Sequence, residues 1–231
     1  MGSEGYTEKI FAVGNNKTGT TSLQKFMANL GYTVGNQGRT EDVAFKHLNS
    51  LVSNDFWRDL VLEIETAQFF QDVPFSNPII LRELVRRYPT ACFVYTRRKA
   101  DSWYQSLVRH HARAAGFQIS VDGSGVIQFD PQEVLEKLKA WKYRGFMGLD
   151  LVCQHFGYDV SEAPYERGRF IAFHLRHQEN AMKILANYRA IFVDLVEEPV
   201  VAAAQLGDFM GRSQDTANGA VSMPHLNRAE E

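Results

Sequence analysis

Apolar positions fall into short unbroken runs and longer helical stripes that alternate along the chain. Lys9 to Gly14 (KIFAVG) is an apolar run closed by a Gly-Asn-Asn turn, the mark of a strand buried on both faces of a parallel sheet. Thr20 to Leu30 then carries Leu23, Phe26, Met27 and Leu30 on one helical face and stops at Gly31. Tyr32 to Gly35 is a candidate second short strand. Residues 40 to 60 read as irregular helix. Residues 61 to 74 (VLEIETAQFFQDVP) read as a short helix and a strand ending at Asp72. Ile79 to Tyr88 is an amphipathic helix behind Pro78. Ala91 to Thr96 (ACFVYT) is the second clear buried strand. A helix from Asp101 to Arg113 follows, with Asp101 or Ser102 as its N-cap. The Gly- and Ser-rich stretch Gly116 to Gln128 reads as a loop. Pro131 to Phe156 and Gly168 to Asn187 read as long helices. Ala190 to Leu195 is the third clear strand, a helix runs from Pro199 to Met210, and a polar, loop-like tail begins at Gly211.

Strands alternating with helices predict the α/β class: a central parallel sheet flanked by helices in three layers. With 231 residues, 45% hydrophobic, and no repeat or linker, the chain reads as a single domain over residues 1–231. The formal net charge of -2 gives no broad basic field, so nucleic acid is not an expected partner. An anionic ligand must be held by a local cluster. Cys92 and Cys153 sit in apolar surroundings and read as reduced thiols; no metal-ligand spacing occurs. The N-terminal segment has no basic stretch followed by a long apolar run, so no membrane association and a cytoplasmic location are expected.

The turn after the first strand is Gly14-Asn15-Asn16-Lys17-Thr18-Gly19-Thr20-Thr21-Ser22. Amides at a helix N-terminus, a glycine that permits close approach, three successive hydroxyls and a lysine together suit a phosphate. It is not a Walker A loop, because Lys17 precedes the second glycine and Thr20 stands where the lysine should be. G-x-G-x-x-G is also missing, which disfavours a dinucleotide fold.

The stretch KTGTTSL resembles the phosphosulfate-binding loop of the sulfotransferases that use 3′-phosphoadenosine 5′-phosphosulfate (PAPS), a P-loop-like family. A second element agrees. The strand ACFVYT runs into Arg97-Arg98-Lys99, and Ser106 follows Arg98 by eight residues, with Trp103 between. In that family an Arg and a Ser at this spacing contact the 3′-phosphate. Lys99-Ala100 departs from the Asp-Pro usual in one branch, so Arg97 could share the work. Pro224-His225-Leu226-Asn227 resembles a C-terminal Pro-x-x-Asn element, and AIFVDLVEEP resembles a late strand and turn of the family.

The resemblance implies transfer of the sulfuryl group from PAPS, by in-line displacement, to a hydroxyl or amine of a small-molecule or glycan acceptor. The product would be 3′,5′-bisphosphoadenosine (PAP). It assigns Asn16, Lys17, Thr18, Gly19, Thr20, Thr21, Ser22, Arg98 and Ser106 to the cofactor and requires no metal. Lys17 would neutralise charge near the bridging oxygen. For the general base, Asp72 at the end of an apolar run is the first candidate, since burial would raise its pKa. Glu65 is the second, and His110 and His111 are the third. The Phe-rich middle (Phe56, Trp57, Phe69, Phe70, Phe75) suits an apolar acceptor pocket or plain core. A non-catalytic nucleotide-binding protein of the same fold, and a kinase of the wider phosphate-loop class, stay open as alternatives.

Overall fold

Strand residues that alternate between two buried faces organise the fold. The computed structural model describes residues 8–157, 159, 163–213 and 223–224. Strand β1 (Ile10–Ala12) is followed by α1 (Thr20–Asn29), α2 (Gln37–Lys46), α3 (Asn54–Ile64), β2 (Phe69–Gln71), α4 (Pro78–Arg87) and β3 (Cys92–Arg97). Then come α5 (Ala100–Ala115), the short strands β4 (Ser120–Val121) and β5 (Ile127–Gln128), and α6 (Pro131–Ala140). The chain continues with β6 (Lys142–Tyr143), β7 (Phe146–Met147), α7 (Gly148–Phe156), α8 (Arg167–Leu185), β8 (Ala190–Asp194) and α9 (Pro199–Phe209). Two compact units result. One is built from residues up to Arg98 and from His177 onward, the other from Lys99–Arg176.

The first unit holds a parallel sheet in the order β2-β1-β3-β8. Ile10 and Ala12 of β1 point with Cys92 and Val94 of β3 into one core, which α1 and α9 cover through Leu23, Phe26, Met27, Ala202 and Leu206. Phe11, Phe93 and Tyr95 point into the other, which α3 and α4 cover through Trp57, Leu60, Leu81 and Leu84. Period-two alternation with both faces buried is what helix-covered parallel strands require, and the three-layer α/β arrangement follows. Phe56, Trp57, Phe69, Phe70 and Phe75 are all at most 2% exposed and belong to these cores, so the Phe-rich middle is core. Residues 33–35 run beside the start of β2, with one parallel bridge (Val34 with Phe69) and backbone hydrogen bonds between Gly35 and Phe69 and between Phe69 and Thr33, but the pairing does not extend into the separate strand anticipated there.

The second unit has its own aromatic core around Trp103, Leu107, Phe156, Tyr165 and Phe170. Two expectations fail here. Residues 131–156 are not one helix. The chain leaves the helical course at Trp141, and Arg144 (φ 50°) and Gly145 (φ 88°) take the left-handed conformation that closes the β6–β7 hairpin. Neither Asp101 nor Ser102 caps α5, which starts one residue earlier with Lys99 at the N-cap and no side-chain cap; Asp101 pairs instead with Arg167. The stretch 116–128 also contains the small β4–β5 hairpin. Among the described residues no helix is long and apolar enough to cross a membrane.

Candidate active site

Parallel neighbours β1 and β2 end level, with Ala12 opposite Gln71, so the turns that follow them leave the same edge of the sheet. That carboxyl edge is where open α/β sheets place ligands.

The β1 turn is shaped by two glycines and a strained lysine. A Cβ on Gly14 would stand 2.1 Å from Thr96 Oγ1 and 2.7 Å from the Thr96 amide nitrogen, so only glycine lets β1 run this close to the end of β3. Gly19 (φ 96°) is the N-cap of α1 and contributes no side-chain cap, which leaves the first-turn amides to be satisfied from outside the helix. Lys17 lies at φ 62°, an uncommon conformation for a residue with a Cβ. Its carbonyl accepts a hydrogen bond from Arg98 Nη1 at 2.8 Å. The Thr18 hydroxyl is buried; it donates to the Asn15 carbonyl at 2.5 Å and lies 2.5 Å from the Thr96 hydroxyl, so it braces the turn from within.

The β2 turn carries Asp72, also at positive φ (60°), followed by a cis Val73–Pro74 bond. Its Oδ1 accepts from the Val73 amide at 3.0 Å, and its carbonyl accepts from the Ser76 amide at 3.0 Å. The far end of the turn is anchored by His177. Nε2 of His177 lies 2.6 Å from the Ser76 carbonyl, and Nδ1 lies 2.9 Å from the Tyr95 hydroxyl. Both ring nitrogens are satisfied when Nε2–H donates to Ser76 and Nδ1 accepts from Tyr95.

Burial and the neighbouring Glu41 carboxylate push the half-buried Asp72 up to about 6, against the Val73 amide, the Lys17 charge and a hydrogen bond from the Thr20 hydroxyl. The fold therefore gathers Lys17, Thr20, Asp72 and Glu41 in one place, with Arg98 bonded to the carbonyl of Lys17. Glu41 was not anticipated. It lies on the irregular helix α2, about thirty residues upstream of Asp72, and no local pattern marks it.

Glu65 is the exposed C-cap of α3 and stands 3.7 Å from Lys9 Nζ, at the entrance to β1 and the opposite end of that strand from Lys17. His111 is buried in the second unit, 2.6 Å from the Tyr165 hydroxyl. His110 is exposed on α5. Ser106 is half-buried on α5, and Trp103 is packed in the core of that unit, stacked on His174 at 4.4 Å between ring centroids. Thr21 is exposed and Ser22 buried in the first turn of α1. Of the Pro-x-x-Asn element, His225 to Asn227 lie outside the described residues.

Lys17 and Asp72 thus stand on neighbouring turns at the carboxyl edge of a parallel α/β sheet. Residues 9–231 match the family model described as a sulfotransferase domain. The chain belongs to the sulfotransferase family and is a transferase of the sulfuryl group. No curated protein matches it.

Proposed function

We propose that the chain transfers the sulfuryl group of PAPS to a hydroxyl or amine of a small-molecule or glycan acceptor, with Asp72 as general base. The observation that carries this reading is the meeting of Lys17 and a carboxylate held at about 6 on neighbouring turns of one sheet edge. A carboxylate in that range is a far stronger base than an exposed one, yet is still largely ionised at neutral pH. PAPS, when bound, supplies the activated sulfuryl group. Residues of the β1 turn suit it. The first-turn amides of α1 and the backbone of Gly19 would receive the 5′-phosphate, together with the side chains of Asn16, Thr20, Thr21 and Ser22 and the backbone of Thr18. Arg98 and Ser106 would read the 3′-phosphate. The Lys17 ammonium neutralises charge on the departing oxygen, and a carboxylate oxygen of Asp72 takes the acceptor proton.

Calorimetric binding of PAP tests the donor half of this reading. Wild type should bind PAP far more tightly than 5′-AMP or ATP, and Arg98→Ala should weaken PAP selectively. Equal binding of PAP and 5′-AMP sinks it.

A further inference from the structure

Helix α2 is fastened to the Asp72 turn on both sides of the aspartate. Upstream, the Gln71 side chain is 5% exposed and donates through Nε2 to Gln24 Oε1 of α1 at 2.9 Å and to Gln37 Oε1 of α2 at 3.4 Å. Downstream, the hydroxyl of Thr40, 1% exposed, reaches the Val73 carbonyl at 3.3 Å while also bonding the Gln37 carbonyl at 3.0 Å. Gln37, Thr40 and Glu41 are spaced at i, i+3 and i+4, so one face of α2 meets residues 71 to 73. The third member of that face is a carboxylate. It does not swing freely, because Gln37 Nε2 donates to Glu41 Oε1 at 2.9 Å. A relay of side-chain amides thus runs from the phosphate helix α1 through Gln71 and Gln37 to Glu41.

We propose that Glu41 is a positioning residue of this active site: α2, fastened to the turn on both sides of Asp72, holds the Glu41 carboxylate on the side of that aspartate and so sets how Asp72 receives the acceptor proton. The proposal rests on the reading of Asp72 as the group that receives the acceptor proton. A neighbouring negative charge resists ionisation of Asp72, and its acid is displaced upward. Among the described residues the charged groups facing Asp72 are Glu41 from α2 and Lys17 from the β1 turn, and they act in opposite directions. The balance leaves Asp72 raised because burial adds to the Glu41 effect. The relay gives this pairing its geometry: Gln37 fixes the rotamer of Glu41, and Gln71 and Thr40 fix the turn that presents Asp72.

Carboxyl-carbon NMR of the whole chain, labelled at aspartate, tests this without any ligand. The Asp72 signal is assigned by its loss in Asp72→Asn. In Glu41→Gln the Asp72 titration should move down, with a roughly tenfold weaker hold on the proton. In Glu41→Asp it should stay near the wild type. The acid limb of the turnover profile should move in the same direction in Glu41→Gln. An Asp72 midpoint unmoved by Glu41→Gln overturns the proposal and leaves Asp72 standing as base. Full turnover in Asp72→Asn, with the NMR shift present, overturns the general-base reading and leaves the pairing of the two acids in place.

Discussion

The turns after β1 and β2 leave the same sheet edge, yet their chemistry is written in different ways. The β1 turn carries the chemistry proposed for it within a few consecutive residues: two glycines, a lysine and a row of hydroxyls. Distant groups such as Thr96 and Arg98 brace it. The β2 turn contributes one aspartate whose ordinary value of 3.8 is changed to about 6 by its surroundings, chiefly burial and Glu41. An anion site built from backbone amides is local by nature. A tuned acid is a property of the tertiary structure.

The sharpest way to break that contrast is Lys17→Ala. Loss of the one full charge in the β1 turn should lower turnover by roughly 100- to 1,000-fold, read by steady-state sulfate transfer. A loss of less than threefold would mean that the turn binds but takes no part in the chemistry. Next in size is Gly14→Ala. Its Cβ would meet backbone atoms of Thr96 at 2.7 and 2.8 Å, and urea unfolding should show a loss of about 3 kcal/mol. Stability within about 0.5 kcal/mol of wild type would show that β1 and β3 can part cheaply.

Asp72→Asn should lower turnover by roughly tenfold or more while PAP affinity holds. Its stability effect has a definite sign. The folded chain grips the Asp72 proton more tightly than an unfolded one, so this group favours folding below the ordinary carboxylate range. That advantage is lost as pH rises through about 6. Above that pH the ionised carboxylate is a liability of at most about 3 kcal/mol. Thermal melts should find Asp72→Asn more stable than wild type at pH 7.5, with the gain fading towards pH 4. A gain that persists at pH 4 would point away from ionisation as its cause. The smallest effect belongs to Glu65→Gln, at the other end of β1, where turnover should be unchanged. A tenfold loss there would move the catalytic edge of the sheet.

How far the sequence could be read follows the same division. The β1–turn–α1 unit was legible because strand, turn chemistry and helix are contiguous and agree. Strand β3 was legible because both of its faces are buried, and β8, an edge strand that is mostly half-buried, because it still opens as an unbroken apolar run. Asp72 could be singled out by its place at the end of such a run. Glu41 could not, since α2 buries only Thr40 and Ala44 and shows no clear apolar stripe. The break in residues 131–156 was hidden because the apolar spacing carries on across Trp141. Only the Arg144-Gly145 pair, flanked by Tyr143 and Phe146, signals a reversal. The place of Glu65 was not legible either, since nothing in the sequence around it says which end of β1 it meets; its contact with Lys9 puts it at the amino end.

The hydrogen bond from Arg98 to the Lys17 carbonyl joins two motifs that lie 81 positions apart. An arginine used in this way is a strut, beside the phosphate-reading role proposed for it. Whatever draws its guanidinium outward also tugs on the backbone that aims the lysine. Substitutions at the two positions should therefore not combine additively; a double-mutant cycle would return a coupling energy even if no ligand touched both side chains. In lineages that keep this architecture, the two positions should change together or not at all.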